Sequence, residues 1–248
     1  MAKNNAGDIL TGDWNPIIGC EKYSEGCRGC WYLSGIFPWQ QRLGNIPADV
    51  LPGEHHVFEK RMCPASLKLK GGIVGVVQHG DLFWDQVPDA TINRVLSIIE
   101  QVAYQKRIMP RYMLWTKRAE RMARILLERY PDGLPEYLAV AVSVENQACA
   151  DERLPHLLKM TGTRIIMIEP MLGPITLSKY LPVEWVVVGS ETGANPRPID
   201  TRWVSAVRDE VKAQGIPFFV KQLGTSHKQS IRVLDGREWN EFPRGFVK

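Results

Sequence analysis

Residues 137–169, YLAVAVSVENQACADERLPHLLKMTGTRIIMIE, decide the fold. YLAVAVSV (137–144) is a continuous apolar, β-prone run, as expected of a parallel strand covered on both faces. QACADERLPHLLKM (147–160) reads as a helix interrupted near Pro155. RIIMIE (164–169) returns to a strand. The same unit extends both ways. Upstream, GGIVGVVQ (71–78) is a strand, and after Pro88 the residues Ile92, Val95, Leu96, Ile99, Val102 and Ala103 mark one helix face. YMLW (112–115) and RAERMARILLERY (118–130) are the next strand and helix. Downstream come EWVVVG (184–189), the helix DTRWVSAVRDEVKAQG (200–215) with its C-cap glycine, and a last strand, PFFVKQ (217–222). DWNPII, near the start, reads as a short first strand or an extended lead-in.

Repeated βα units with right-handed crossovers imply an α/β protein with a parallel sheet. An incomplete (β/α) barrel over residues 1–223 fits best, and a doubly wound sheet is the alternative. Residues 31–70, rich in Pro, Gly and His, read as one helix and then an irregular insertion at about 45–70. Residues 224–248 form an extension with a turn at Asp235–Gly236, expected to pack on the outside of the barrel.

The 248 residues, 44% hydrophobic, suffice for one large domain or two small ones. A balance of 31 basic to 27 acidic residues, +4 at pH 7, permits a polyanionic partner without demanding one. The first residues lack the apolar stretch of a signal peptide, and no run is long enough to cross a bilayer. Five cysteines, an odd number, argue against a secreted disulfide framework. The expectation is a soluble cytoplasmic protein.

Cys20, Cys27 and Cys30 lie in GCEKYSEGCRGC, a C-x6-C-x2-C cluster with a glycine before each cysteine. Three thiolates are one too few for a closed tetrahedral site, which suggests an iron–sulfur cluster with one iron open for chemistry. The glycines let the backbone wrap closely around sulfur. The alternative is a zinc knot completed by Cys63, His55 or His56. Cys63 and Cys149 otherwise read as ordinary buried thiols.

In barrels and open α/β sheets, active sites gather at the carboxyl ends of the strands. Those ends here carry His79 and Asp81, then Thr116, Lys117 and Arg118, then Ser143, Glu145 and Asn146, then Glu169, Ser190 and Glu191, and last Lys221 and Gln222. Each alone is weak, because every strand must end in something polar. Their convergence on one mouth with the cysteine loop is the signal.

The stretch DWNPIIGCEKYSEGCRGCWY (13–32) resembles the "WNP…GC…S.GC..CY" signature of the phage and bacterial three-cysteine-motif family, a radical-SAM-like group. Similarity continues through HGDLFWDQVPD, LWTKRAERM, AVSVENQ, IEPMLGPI, VVVGSETGANPRP, PFFVKQLG and LDGREWNEFP, which together cover almost the whole chain. Trp31 stands where that family usually has tyrosine. The resemblance implies a barrel of the radical SAM type, with a [4Fe-4S] cluster held by Cys20, Cys27 and Cys30 and S-adenosylmethionine on the fourth iron. The more familiar radical SAM motif has three residues between its first two cysteines, where this chain has six.

From that implication, Asp81 is the candidate acceptor for the methionine amino group, Lys117 or Ser143 the donor to its carboxylate, and Glu145 or Asn146 the partner of the ribose. Glu169, Glu191, Arg197 and Lys221 are then left for catalysis and substrate. The plain alternative for Lys117 and Arg118 is a solvated helix start. The resemblance further implies an isomerase acting on an amino-acid-decorated thymine in DNA. Its electron donor would be a flavodoxin or ferredoxin, and its setting the host cytoplasm of a phage. Arg42, Lys60, Arg61, Lys68, Lys70, Arg118, Arg121 and Arg124 are candidate phosphate contacts. Trp31, Trp84 and Trp115 are candidates to stack an unpaired base. A radical SAM lyase or repair enzyme, an enzyme modifying a small molecule or peptide, and a zinc-bound nucleic-acid-binding module stay open.

Overall fold

The computed structural model describes residues 9–67, 72–104, 110–193, 195–224 and 232–246. Seven strands form one parallel sheet: β1 (Gly12–Trp14), β2 (Ile73–Val76), β3 (Arg111–Thr116), β4 (Leu138–Ser143), β5 (Thr163–Ile168), β6 (Trp185–Gly189) and β7 (Phe218–Gln222). Their spatial order is their chain order, and every neighbouring pair is parallel. A doubly wound sheet would reverse direction at a switch point; this one never does. The helices are α1 (Phe37–Arg42), α2 (Asp89–Tyr104), α3 (Ala119–Arg129), α4 (Gln147–Leu157) and α5 (Thr201–Ala213). Between β5 and β6 only a short 3-10 turn, Ser178–Tyr180, intervenes.

Two separate cores show how the sheet is wound. One face carries Leu138, Val140 and Val142 of β4 and Val186 and Val188 of β6, packed against the buried stripes of α2, α3, α4 and α5. The other carries Met113, Ala139, Ala141, Ile165, Met167, Trp185, Val187 and Phe219, and no residue of these helices. Helices on one face only, with sequential parallel strands, are the arrangement of an incomplete (β/α) barrel. The inner face is closed instead by both ends of the chain, through Ile9, Leu10, Phe242 and Phe246. Trp185, first residue of β6, meets Phe242 and Phe246 at ring distances of 5.2 and 5.9 Å. The amino end of the interior is therefore plugged, and the carboxyl end is left as the mouth.

Three expectations need correction. Helix α4 runs unbroken through Pro155, which falls in its last turn, where a missing N–H costs only one terminal hydrogen bond. The C-terminal extension does not stay outside the barrel. Its hairpin turns at Asp235 and Gly236 (φ 52° and 75°), Trp239 joins the helix-side core, and Phe242 and Phe246 cross to the inner face. The insertion is also less irregular than expected. Its residues His56–Val57 pair with Ile17–Ile18 in an antiparallel ladder, over a small core of Ile18, Tyr32, Phe37, Ile46 and Val50. No helix among the described residues is long and apolar enough to cross a membrane.

Candidate cofactor site at the carboxyl end of the sheet

The cysteine loop is fastened to the strand ends at three points. At the first, Gly19 pairs with Gly80 beyond β2, taking a hydrogen bond from Asp81 N and giving one to His79 O, both 3.2 Å. Gly19 has φ +113°, and a Cβ there would lie 2.7 Å from His55 Cα, so glycine is required by conformation and by space. The second point is Glu145, beyond β4. Its carboxylate accepts from Ser24 Oγ (2.7 Å) and Arg153 (2.9 Å), with Lys117 Nζ at 3.5 Å. Gly26 lies flat on this carboxylate: an added Cβ would sit 2.5 Å from Cγ and 2.7 Å from Cδ of Glu145. The third is Glu191, beyond β6, paired with Arg197 and facing Gly29. Arg197 also donates to Glu25 O at 2.9 Å, which ties the loop to β6.

These tethers gather the thiols around shared neighbours. All three are free; Cys27 is buried, and Cys20 and Cys30 are half-buried. Arg118 Nη1 lies 3.9 Å from Cys20 Sγ. Burial, reinforced by the charge of Asp81, pushes the Cys20 thiol up to about 12. Burial works against the charge of Lys117, but Glu145 and the Cys27 sulfur hold its ammonium above the ordinary range. Burial pushes the Tyr32 hydroxyl up, and Cys20 and Cys30 add to that; its ring stacks on His79 at 5.7 Å.

Each residue singled out in the sequence has a definite place. Asp81 is buried and accepts from Thr116 Oγ1 (2.7 Å to both oxygens), Phe83 N (2.9 Å) and Arg118 Nη1 (3.0 Å). Asn146 caps α4, its side chain accepting from Cys149 N. Glu145 and Glu191 serve the cysteine loop. Burial favours a neutral Glu145, yet Lys117 and Arg153 outweigh it and hold the carboxyl below its usual range. At Glu191 the hydrogen bonds of Arg197 do the same. Ser143 ends β4, its carbonyl accepting from Arg153. Glu169 and Lys221 pair at 2.7 Å, with Gln222 donating to the same carboxylate, and both are 15–20% exposed.

The solvated helix start expected at Lys117–Arg118 is not found, because Arg118 is 4% exposed and locked to Asp81. Arg153, missed in the sequence, is 2% exposed and supports Glu145 from within α4. Its signal was a cationic residue beside the buried Ala150, Leu154 and Leu157 of one helix face. Of the candidate base-stacking residues, Trp84 is wholly buried packing and Trp115 lines the inner core, while Trp31 is 40% exposed beside Cys30. Among the phosphate candidates, Arg61 is held over the Phe58 ring and Arg121 and Arg124 by Asp89, whereas Arg42 and Lys60 are exposed. Lys68 and Lys70 lie outside the described residues.

Among the described residues, no three of His, Cys, Asp or Glu are grouped tightly enough for a single metal ion. Neither His55, His56 nor Cys63 joins the three thiols in such a group. Fold and site together define an incomplete (β/α) barrel bearing a tethered three-cysteine loop over its open mouth. The chain belongs to the DUF5131 family, described as a protein of unknown function, whose model matches residues 9–243. No curated protein and no solved structure matches it.

Proposed function

We propose that this chain is a radical S-adenosylmethionine enzyme whose [4Fe-4S] cluster is held by Cys20, Cys27 and Cys30. The observation that carries the proposal is the three-thiol loop fastened across the mouth by Glu145 and Glu191. Three free thiols that share neighbours without converging on one point suit a cluster that fills the space between them, better than a single zinc ion. Arg118 and Lys117 offset the negative charge that deprotonated sulfurs bring.

When bound, cluster and S-adenosylmethionine supply, with one electron from a flavodoxin or ferredoxin, cleavage to methionine and a 5′-deoxyadenosyl radical. The chain's own residues do the rest. Glu145 and Glu191 hold the loop, and the wall of buried side chains below the mouth excludes water. Lys221 and Glu169 present a charged pair to substrate, with Ser143 and Lys117 above the inner core. As substrate we propose a modified thymine in DNA, with an isomerisation of its appended group; Trp31 is the exposed aromatic surface next to the loop that suits an unstacked base.

Anaerobic reconstitution should give a brown protein with four irons and four sulfides, lost in Cys20→Ala, Cys27→Ala and Cys30→Ala. Stoichiometric zinc without sulfide, or full iron in Cys27→Ala, refutes the cofactor. Release of 5′-deoxyadenosine should rise with modified DNA; a response to peptides or free amino acids instead reassigns the substrate.

A further inference from the structure

A pocket of about 240 Å3 opens between α3 and α4, beside the cysteine loop and bordered by Lys117. Its wall includes the first turn of α3, whose N-terminus no side chain caps. The unpaired N–H groups of a helix start attract anions. Independently, Arg118 and Arg153 line the same pocket and are 4% and 2% exposed, yet Arg118 Nε and Nη2 and Arg153 Nε have no hydrogen-bond partner. Their nearest further carboxylates, Asp85, Glu21 and Glu152, stand 3.7–3.9 Å away, beyond hydrogen-bond reach, and each is more than half exposed, although Glu152 also accepts from Tyr23 Oη at 3.1 Å. Such side chains can swing into water at little cost. Tyr23, from the cysteine loop, lies over both guanidiniums, 4.9 and 5.2 Å from their carbons.

From this we infer that the pocket is a binding site for a phosphoryl group, held by Arg118 and Arg153, whose unpartnered N–H groups are reached when the Tyr23 ring over them swings aside, and by the amino end of α3. Buried guanidinium N–H groups left without a partner carry a desolvation cost, which an oxyanion relieves. Donors from two side chains and a helix end outnumber the two oxygens of a carboxylate, and a phosphoryl group offers three strong acceptor oxygens. None of its donors comes from Cys20, Cys27 or Cys30, so apo protein can be tested, although Arg118 also lies 3.9 Å from Cys20 Sγ. The phosphoryl group has two possible sources, a free phosphate or nucleotide and the phosphodiester of a single strand.

Calorimetric titration of the apo protein at low salt with pyrophosphate, and separately with a short oligothymidylate, tests the site. Saturable binding is expected, weakened at least tenfold by Arg118→Gln and by His156→Glu, which puts a negative charge on the pocket rim without touching the buried pairs. Arg202→Gln, on the exposed start of α5, should leave binding unchanged. If pyrophosphate binds tighter, the source is a free phosphate; if the oligothymidylate does, it is the nucleic-acid backbone. No saturable binding of either probe overturns the inference, as does unchanged affinity in folded His156→Glu. Should Arg118→Gln fail to fold, His156→Glu decides alone.

Discussion

Gly26→Ala is the sharpest test of how the cysteine loop is held. The new methyl would sit 2.5 and 2.7 Å from Cγ and Cδ of Glu145, so loop or carboxylate must move. Glu145 has little freedom: it is fully buried and holds Arg153, Ser24 and Lys117 at 2.9, 2.7 and 3.5 Å. If the loop lifts, the charged hydrogen bond from Ser24 is lost, worth about 1.5–3 kcal/mol. If the carboxylate shifts instead, overpacking costs about 1–3 kcal/mol. Either route predicts a loss near 2 kcal/mol, or roughly 4–8 °C in Tm for a chain of this size. Two further alanines calibrate the effect. At Gly29 the nearest Glu191 atom would be 3.0 Å away, so the cost should be smaller, and at Gly35 nothing lies within 4 Å. Urea and thermal unfolding of the apo protein should therefore rank Gly26 well below Gly29, and Gly29 below Gly35. Glu145→Asp, which shortens the obstructing side chain, should cost less in the Gly26→Ala background than alone. Equal stability of the Gly26 and Gly35 variants would refute the clamp.

Asp81→Asn should destabilise the fold by about 3–5 kcal/mol in urea unfolding, because it leaves buried Arg118 without its charge partner; a loss under about 1 kcal/mol would show that Asp81 is free for a ligand. Removing the Asp81 charge should also lower the Cys20 thiol and speed its alkylation in apo protein. Glu145 and Glu191 are held below their ordinary 4.5 when folded, so the unfolded chain takes up their protons at higher pH. Their stabilisation is complete above that value and lost as the pH falls through the lower folded values. Tm should thus decline below pH 4.5, less steeply in Glu191→Gln, and an identical slope in that variant contradicts the assignment. Lys221→Met should lose about 1–3 kcal/mol and keep its fold, since Gln222 still donates to Glu169. Circular dichroism and 5′-deoxyadenosine release would check it, with substrate-dependent release abolished if Lys221 meets the substrate.

Six of the seven strands were legible to within a residue or two because parallel strands buried on both faces are continuous apolar runs; the run DWNPII instead divides between β1, which ends at Trp14, and the separate ladder of Ile17–Ile18. The α2 stripe was equally clear: Ile92, Val95, Leu96, Ile99, Val102 and Ala103 are all buried. Winding could be read less directly, although the row Ala139, Ala141, Ser143 passes from the inner core to the mouth at a spacing of two. What the sequence could not reveal is how charged residues satisfy one another. Glu145 and Arg153, Asp81 and Arg118, Glu191 and Arg197 each look available in one dimension, and only packing commits them. Asp81 and Glu145 thus carry structural bonds that their places in the sequence do not announce, and Asn146 caps α4. The contact of Gly26 with Glu145 joins distant parts of the chain, and no local pattern announces it.

Buried ion pairs are weak sources of stability, because desolvation consumes much of what their attraction supplies. This protein nonetheless sets three arginine–carboxylate pairs at the carboxyl ends of β2, β4 and β6, while the amino end of the same interior is closed by apolar side chains, among them Ile9, Leu10, Trp185, Phe242 and Phe246. An apolar plug would have stabilised the mouth at least as well. The pairs do what such a plug cannot: through directional bonds they fix Ser24 and Glu25, and Arg118 beside Cys20. One end of the barrel secures the fold, and the other positions a glycine-rich loop and its three sulfurs. That division is the physical argument for looking for a ligand at the mouth, and Arg118, tied to Asp81 and 3.9 Å from Cys20 Sγ, is the residue through which a ligand beside α3 would be felt by the cysteines.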